Sequence, residues 1–165
     1  MHRFFLSAVF AGVLGGSLAR ADTQDTQDDC VQVDDIALKI TACTAAIESG
    51  TWSGANLAWA FSNCGLGFRR SGNLKRALQD YNEAIRLRPD YPDAYGNRAF
   101  LLDLMGKHPE AIADWKTALR QGGKERVKRA QTYLRDKGFY NGAIDGAYGP
   151  ISQKALRACI YAENC

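Results

Sequence analysis

Histidine is almost missing from this sequence. The chain has two, His2 near its start and His108 beside Pro109. A zinc hydrolase centre draws on several histidines, and a nucleophilic triad needs one close to a serine or cysteine, so neither chemistry has its parts here. No Gly-x-Ser-x-Gly occurs. Gly65-Leu66-Gly67 falls inside a helical pattern and lacks the strand-to-helix setting of a phosphate loop. Glu48, Glu83, Glu110 and Glu125 fall on helix surfaces, where solvated charge is the default for a carboxylate. The residues supply no catalytic set, no metal set and no cofactor motif. Long apolar runs are scarce too. Beyond residue 21 nothing approaches the roughly 20 apolar residues of a membrane span.

The first 21 residues have their own pattern. His2 and Arg3 give a positive start, Phe4 to Leu18 is an apolar run broken by glycines, and Ala19-Arg20-Ala21 is a small-x-small ending. This order predicts a signal peptide cleaved before Asp22, and hence a periplasmic or secreted protein with no membrane span after cleavage. Setting aside Arg3 and Arg20 leaves 19 basic residues against 18 acidic ones. Residues 22–55 hold seven acids and one base, whereas residues 124–165 hold eight bases and four acids. The basic end suits an anionic polymer or a solvated helical face, but its bases are too diluted by acids for nucleic acid. Residues 22–33 are polar and acidic and read as a mobile arm.

Five cysteines in an exported chain point to an oxidising compartment. Cys30 and Cys43 bracket one short loop and Cys159 and Cys165 another, which predicts two local bridges and leaves Cys64 over. Cys43–Cys64 competes with the first of these, because those two residues fall on successive predicted helices.

What the chain does have is an echo at 34 residues. Gly65, Ala77, Tyr81 and Ala84 return as Ala99, Ala111, Trp115 and Ala118; Phe61 returns as Tyr95, and Gly72 as Gly106. A fixed period of this length means stacked helical hairpins, with small residues at the close approaches and large ones filling between. A first helix starts at Asp34 or Asp35, shows Ile36, Ile40, Cys43 and Ile47 on one face and ends at Gly50. The next helix covers 56–71. Gly72-Asn73 breaks it, and Asn73 caps a helix that stops at Pro89. Pro92 and Pro109 open two more helices, and Gly122-Gly123 ends the series.

Residues 58–91 and 92–123 resemble two tetratricopeptide repeats, on Gly65, Phe68, Gly72, Ala77, Tyr81, Ala84 and Pro89 and their echoes. Residues 34–57 supply an incomplete first repeat. The resemblance implies a concave groove for a protein segment, faced by Trp59, Ser62, Asn63, Leu66, Arg69 and Arg70 on the first helix. On its counterpart it implies Asp93, Asn97, Phe100 and Asp103. The Lys/Asn set with which some members of the family clamp a C-terminal carboxylate is absent.

The period stops after Gly123. Residues 124–165 resemble a small peptidoglycan-binding-type domain, on Gln131, Leu134, Gly138-Phe139, Gly142, Ile144-Asp145-Gly146, Tyr148-Gly149-Pro150 and Ala155-Leu156-Arg157. Cys159 and Ile160 depart from the pattern, standing where an aromatic residue and a glutamine are usual. Within that resemblance, Tyr140 and Tyr148 are the rings to stack on sugar. Asn141 would pair with hydroxyls or stem-peptide amides, and Arg135 with a carboxylate. The sequence thus describes an all-α, exported, non-enzymatic adaptor that holds a protein segment in its groove and docks on peptidoglycan or a wall-associated protein. In the competing reading the last helices only cap the array and bind no glycan.

Overall fold

The computed structural model describes residues 26–31 and 34–162, and no strand occurs among them. After a short helical stretch at 26–31, seven helices follow in order: α1 (Ile36–Glu48), α2 (Ala58–Arg70), α3 (Leu74–Leu87), α4 (Pro92–Leu104), α5 (His108–Gln121), α6 (Gly123–Asp136) and α7 (Pro150–Tyr161). One 3₁₀ turn, Gly54–Leu57, leads into α2. The pairs α2/α3 and α4/α5 pack as hairpins; α1 covers α2, and α6 and α7 both rest on α5. The expected signal segment 1–21 and Cys165 lie outside the described residues.

Local chemistry accounts for the ends. Asp35 accepts from the Leu38 N–H at 2.9 Å and Asn73 from the Arg76 N–H at 3.2 Å, each satisfying a donor that its helix leaves unpaired. Gly72 and Gly106, 34 residues apart, sit at φ 84° and 70°, where a side chain would strain the backbone. The same C-terminal closure follows both. Asn73 N–H donates to the Phe68 carbonyl and Lys107 N–H to that of Leu102, each at 2.8 Å. The period read from side chains is therefore also a period of backbone hydrogen bonds.

Packing shows why small residues recur. A Cβ on Gly65 would stand 2.7 Å from the Tyr81 ring, so only glycine lets that ring lie flat on α2. Ala77, Ala84, Ala111 and Ala118 are fully buried. In the second repeat Asp114 receives a two-pronged contact from Arg98, at 2.6 and 2.8 Å, and Arg98 also donates to Asn82. Thirty-four residues earlier, Asp80 takes the place of Asp114 and Cys64 the place of Arg98. Asp80 is left with Arg76 of its own helix, 3.2 Å from Oδ1, while Oδ2 is buried with no hydrogen-bond partner. Burial pushes this carboxyl up to about 6, against the pull of Arg76.

Three expectations are corrected here. Cys43 bonds to Cys64, with their Cα atoms 5.5 Å apart, rather than to Cys30, which is a buried free thiol. Both partners face the α1–α2 seam, within bonding distance once the helices pack, so the competing pairing holds. Cys159 is disulfide-bonded. Residues 26–31, expected in the mobile arm, are helical and tuck Cys30 against Cys43 and Cys64. Lys39 is buried there; its ammonium donates to the carbonyls of Cys30 at 2.7 Å and Val31 at 2.9 Å, capping that turn. On α1, Lys39, Ala42, Cys43 and Ala46 form the buried face, while Ile36, Ile40 and Ile47 are half-buried.

Candidate functional site

α2 and α4 lie alongside each other, and their side chains meet at two points. The Arg69 guanidinium lies over the Phe100 ring, 4.6 Å from its centroid. Asn97 donates its amide to the Ser62 hydroxyl at 3.4 Å. Ser62 is buried, so of the expected groove residues it is the one the structure withdraws from a ligand: its hydroxyl is spent between the helices. Asn63 donates to the Trp59 carbonyl one turn earlier, and the Trp59 ring meets Trp52 edge-on at 5.1 Å. Leu66 is half-buried. Arg70 points towards Asp34, 4.0 Å away at the start of α1. Asp93 is ion-paired with Arg126 of α6, and Asp103 Oδ1 lies 2.9 Å from His108 Nδ1, within hydrogen-bond distance. Phe100 keeps 43% of its surface exposed, a large figure for an aromatic residue on a packed helix.

The second expected site is divided by the structure. Gln131 is fully buried in α6 and organises the loop between α6 and α7. Its amide nitrogen lies 2.8 Å from Asp145 Oδ1 and 3.1 Å from the Tyr140 hydroxyl, and its oxygen accepts the Gly146 N–H at 2.9 Å. The Tyr140 hydroxyl donates to the Ala143 carbonyl at 2.7 Å. A Cβ on Gly142 would stand 2.7 Å from that hydroxyl, so the loop closes over the ring only because glycine is there. Tyr140 is thus core, 6% exposed, and its ring is not a sugar-stacking face. The Ala147 N–H, followed by the Gln131 amide, holds the Asp145 carboxyl below its usual range.

Tyr148, by contrast, is half-buried. Burial raises its phenol, and the charges of Arg120 on α5 and Arg157 on α7 pull the other way. Asn141 and Arg135 are exposed, and Arg135 stands 3.9 Å from Asp136. Among the described residues no cluster of histidine, cysteine or carboxylate groups could hold a metal ion. No helix among them is long and apolar enough to cross a membrane.

The sequence reading missed the seam between these two sites. Leu119 of α5 belongs to the same buried cluster as Val127, Leu134, Tyr140, Leu156 and Ile160, with Trp115 and Ile112 packed on it. α4 to α7 surround a cavity of about 360 Å³ at this seam, within the range of small-ligand pockets. Arg126, Ala130 and Tyr133 recur along α6 at helical spacing, a stripe that was legible as soon as α6 was taken to face the array.

Known proteins agree with this division. Residues 65–106 match the family model of the TPR repeat, and residues 123–159 that of the peptidoglycan binding domain. An uncharacterized protein of Methanocaldococcus jannaschii is 38% identical over 47 residues, which is 28% of this chain and 55% of that protein. The chain spans about half the length of that relative, whose name carries no function. Helical hairpins repeating at 34 residues, followed by a glycine-turned helical module, make this chain a tetratricopeptide-repeat segment joined to a peptidoglycan-binding-type domain, in that order.

Proposed function

We propose that this protein is an exported, non-enzymatic adaptor: the groove between α2 and α4 takes a segment of a partner protein, and the C-terminal module docks on peptidoglycan or on a wall-associated protein. What supports the reading is the pairing of tetratricopeptide-type hairpins with a peptidoglycan-binding-type module, joined through the cluster that α5 shares with α6 and α7. Export is supported by the N-terminal apolar run with its small-x-small ending and by the Cys43–Cys64 bridge, which needs an oxidising compartment. Half-exposed Phe100, Leu66 and the Asn63 and Asn97 amides suit an extended segment better than a folded surface. Two repeats offer limited contact, so an affinity about micromolar, roughly −8 kcal/mol, is expected. Tethering then makes weak contacts effective.

Capture from an envelope extract tests the groove, with Asn63→Ala/Asn97→Ala as the control that loses the partner. Co-sedimentation with purified sacculi tests the module. Wild type pellets at moderate salt, and Tyr148→Ala or Arg135→Ala lowers the bound fraction several-fold. A wild-type protein that stays soluble disposes of the glycan arm.

The burial of Tyr140 favours a second reading, in which α6 and α7 cap the array and touch no glycan. The half-open Tyr148 between Arg120 and Arg157 keeps the first reading ahead.

A further inference from the structure

The cavity at the seam belongs to neither family's fold alone. Phe100 comes from the groove row of α4, Trp115 and Leu119 from α5, Arg129 and Tyr133 from α6, and Leu156 from α7. Its floor is apolar, and none of the buried polar atoms that lack a partner belongs to its lining. Whatever enters must therefore bring carbon inward. At 360 Å³ it exceeds by about twofold the roughly 150 Å³ in which benzene is held, so one large aromatic side chain fits with room to settle.

The mouth has the opposite character. Phe100 and Tyr133 are each 43% exposed, and each carries a cation on its face: Arg69 on Phe100 and Lys137 on Tyr133, at 4.6 and 5.5 Å. Arg126 and Arg129 stand in the wall between them. Two carboxylates are near: Asp93 pairs with Arg126, and Asp103, which lines the cavity, is hydrogen-bonded to the His108 ring. Arg129 enters no ion pair among the described residues. Four cations against these two acids leave a net positive collar round an apolar hole, and that collar lies where Arg69 meets Phe100.

Resting on the groove reading, we infer that the partner segment is anchored here by one bulky aromatic side chain followed directly by acidic residues. The ring enters the seam cavity and the carboxylates meet Arg129 and Lys137. Recognition of the segment then requires both the last repeat and the C-terminal module.

The test is an NMR titration of the purified protein with three blocked pentapeptides. One carries a phenylalanine followed by two aspartates; the second has two lysines for the aspartates; the third has glycine for the phenylalanine. The first is expected to saturate the Trp115 indole N–H and the Phe100 and Tyr133 amides. The second binds at least tenfold more weakly, and the third gives no saturable shift. Ala130→Trp, which fills the cavity, and Arg129→Glu, a surface change that leaves the core intact, each weaken the first peptide tenfold or more. Equal binding of the aspartate and lysine peptides overturns the inference, as does the absence of saturable shifts at Trp115, or an Arg129→Glu variant that binds like wild type. Capture of a partner that survives Ala130→Trp and Arg129→Glu but is lost in Asn63→Ala/Asn97→Ala sinks the seam anchor and leaves the groove standing. Capture unaffected by all of them sinks the groove as well.

Discussion

Replacing Asp80 with asparagine is expected to stabilise the protein at neutral pH and to do nothing at pH 4. The Asp80 side chain is 3% exposed, and its Oδ2 has no partner: the repeat position that holds Arg98 beside Asp114 is Cys64 here, which brings no guanidinium. Its carboxyl rises from 3.8 to about 6 through burial. A raised carboxyl binds its proton more tightly folded than unfolded, so stability is fully present below the unfolded value and falls as pH climbs through the folded one. A shift of about two units at 1.36 kcal/mol each makes the ionised carboxylate cost roughly 3 kcal/mol above pH 7. Asparagine keeps the shape and removes the charge, at the loss of one contact with exposed Arg76, which is worth about 0.5 kcal/mol. The net gain is about 2 kcal/mol. With a urea slope near 2 kcal/mol/M, the midpoint moves up by about 1 M at pH 7.5. Urea unfolding of both proteins at pH 4, 5, 6 and 7.5, followed by far-UV circular dichroism, reads the difference directly. A gap that is absent at pH 7.5, or equally large at pH 4, refutes the reasoning.

Other outcomes follow from the same packing. Opening the Cys43–Cys64 bridge by Cys43→Ala/Cys64→Ala releases a loop spanning 21 positions, for a loss of about 3 kcal/mol in the chain-entropy account, seen as a lower urea midpoint. Gly65→Ala drives a methyl into the Tyr81 ring and is expected to lower stability by about 1–2 kcal/mol despite the better helix propensity of alanine. Gln131→Leu keeps the volume but strips partners from the Gly146 N–H, Asp145 and the Tyr140 hydroxyl. A loss of about 2–4 kcal/mol is expected, with faster amide exchange through residues 139–149.

The helices were legible because their punctuation is chemical: Asp35 and Asn73 as caps, Gly72 and Gly106 as stops, Pro92 and Pro109 as starts. The 34-residue echo put Tyr81 in the core and Trp115 against it for the same reason, since a period tells which residues must face inward. Residues 26–31 escaped because acidic composition says nothing of a lysine eight or nine positions on that can cap a helical turn. The Cys43–Cys64 bond escaped because proximity in sequence was weighed above helix packing. Tyr140 looked like a sugar platform because its burial depends on Gln131, nine residues before it, and on Gly142 yielding space. The seam cavity stayed invisible because its walls come from four helices, none of which shows a pocket by itself.

α5 ends at Gln121 and α6 begins at Gly123, with Gly122 alone between them and Leu119 already inside the next cluster. So short a joint, with one cluster packed on both sides of it, ties the direction of the last helices to that of the repeats. On the adaptor reading proposed above, whatever the repeats grip would keep one compass bearing relative to whatever the final helices touch, so that the molecule would set the direction of its cargo as well as its address.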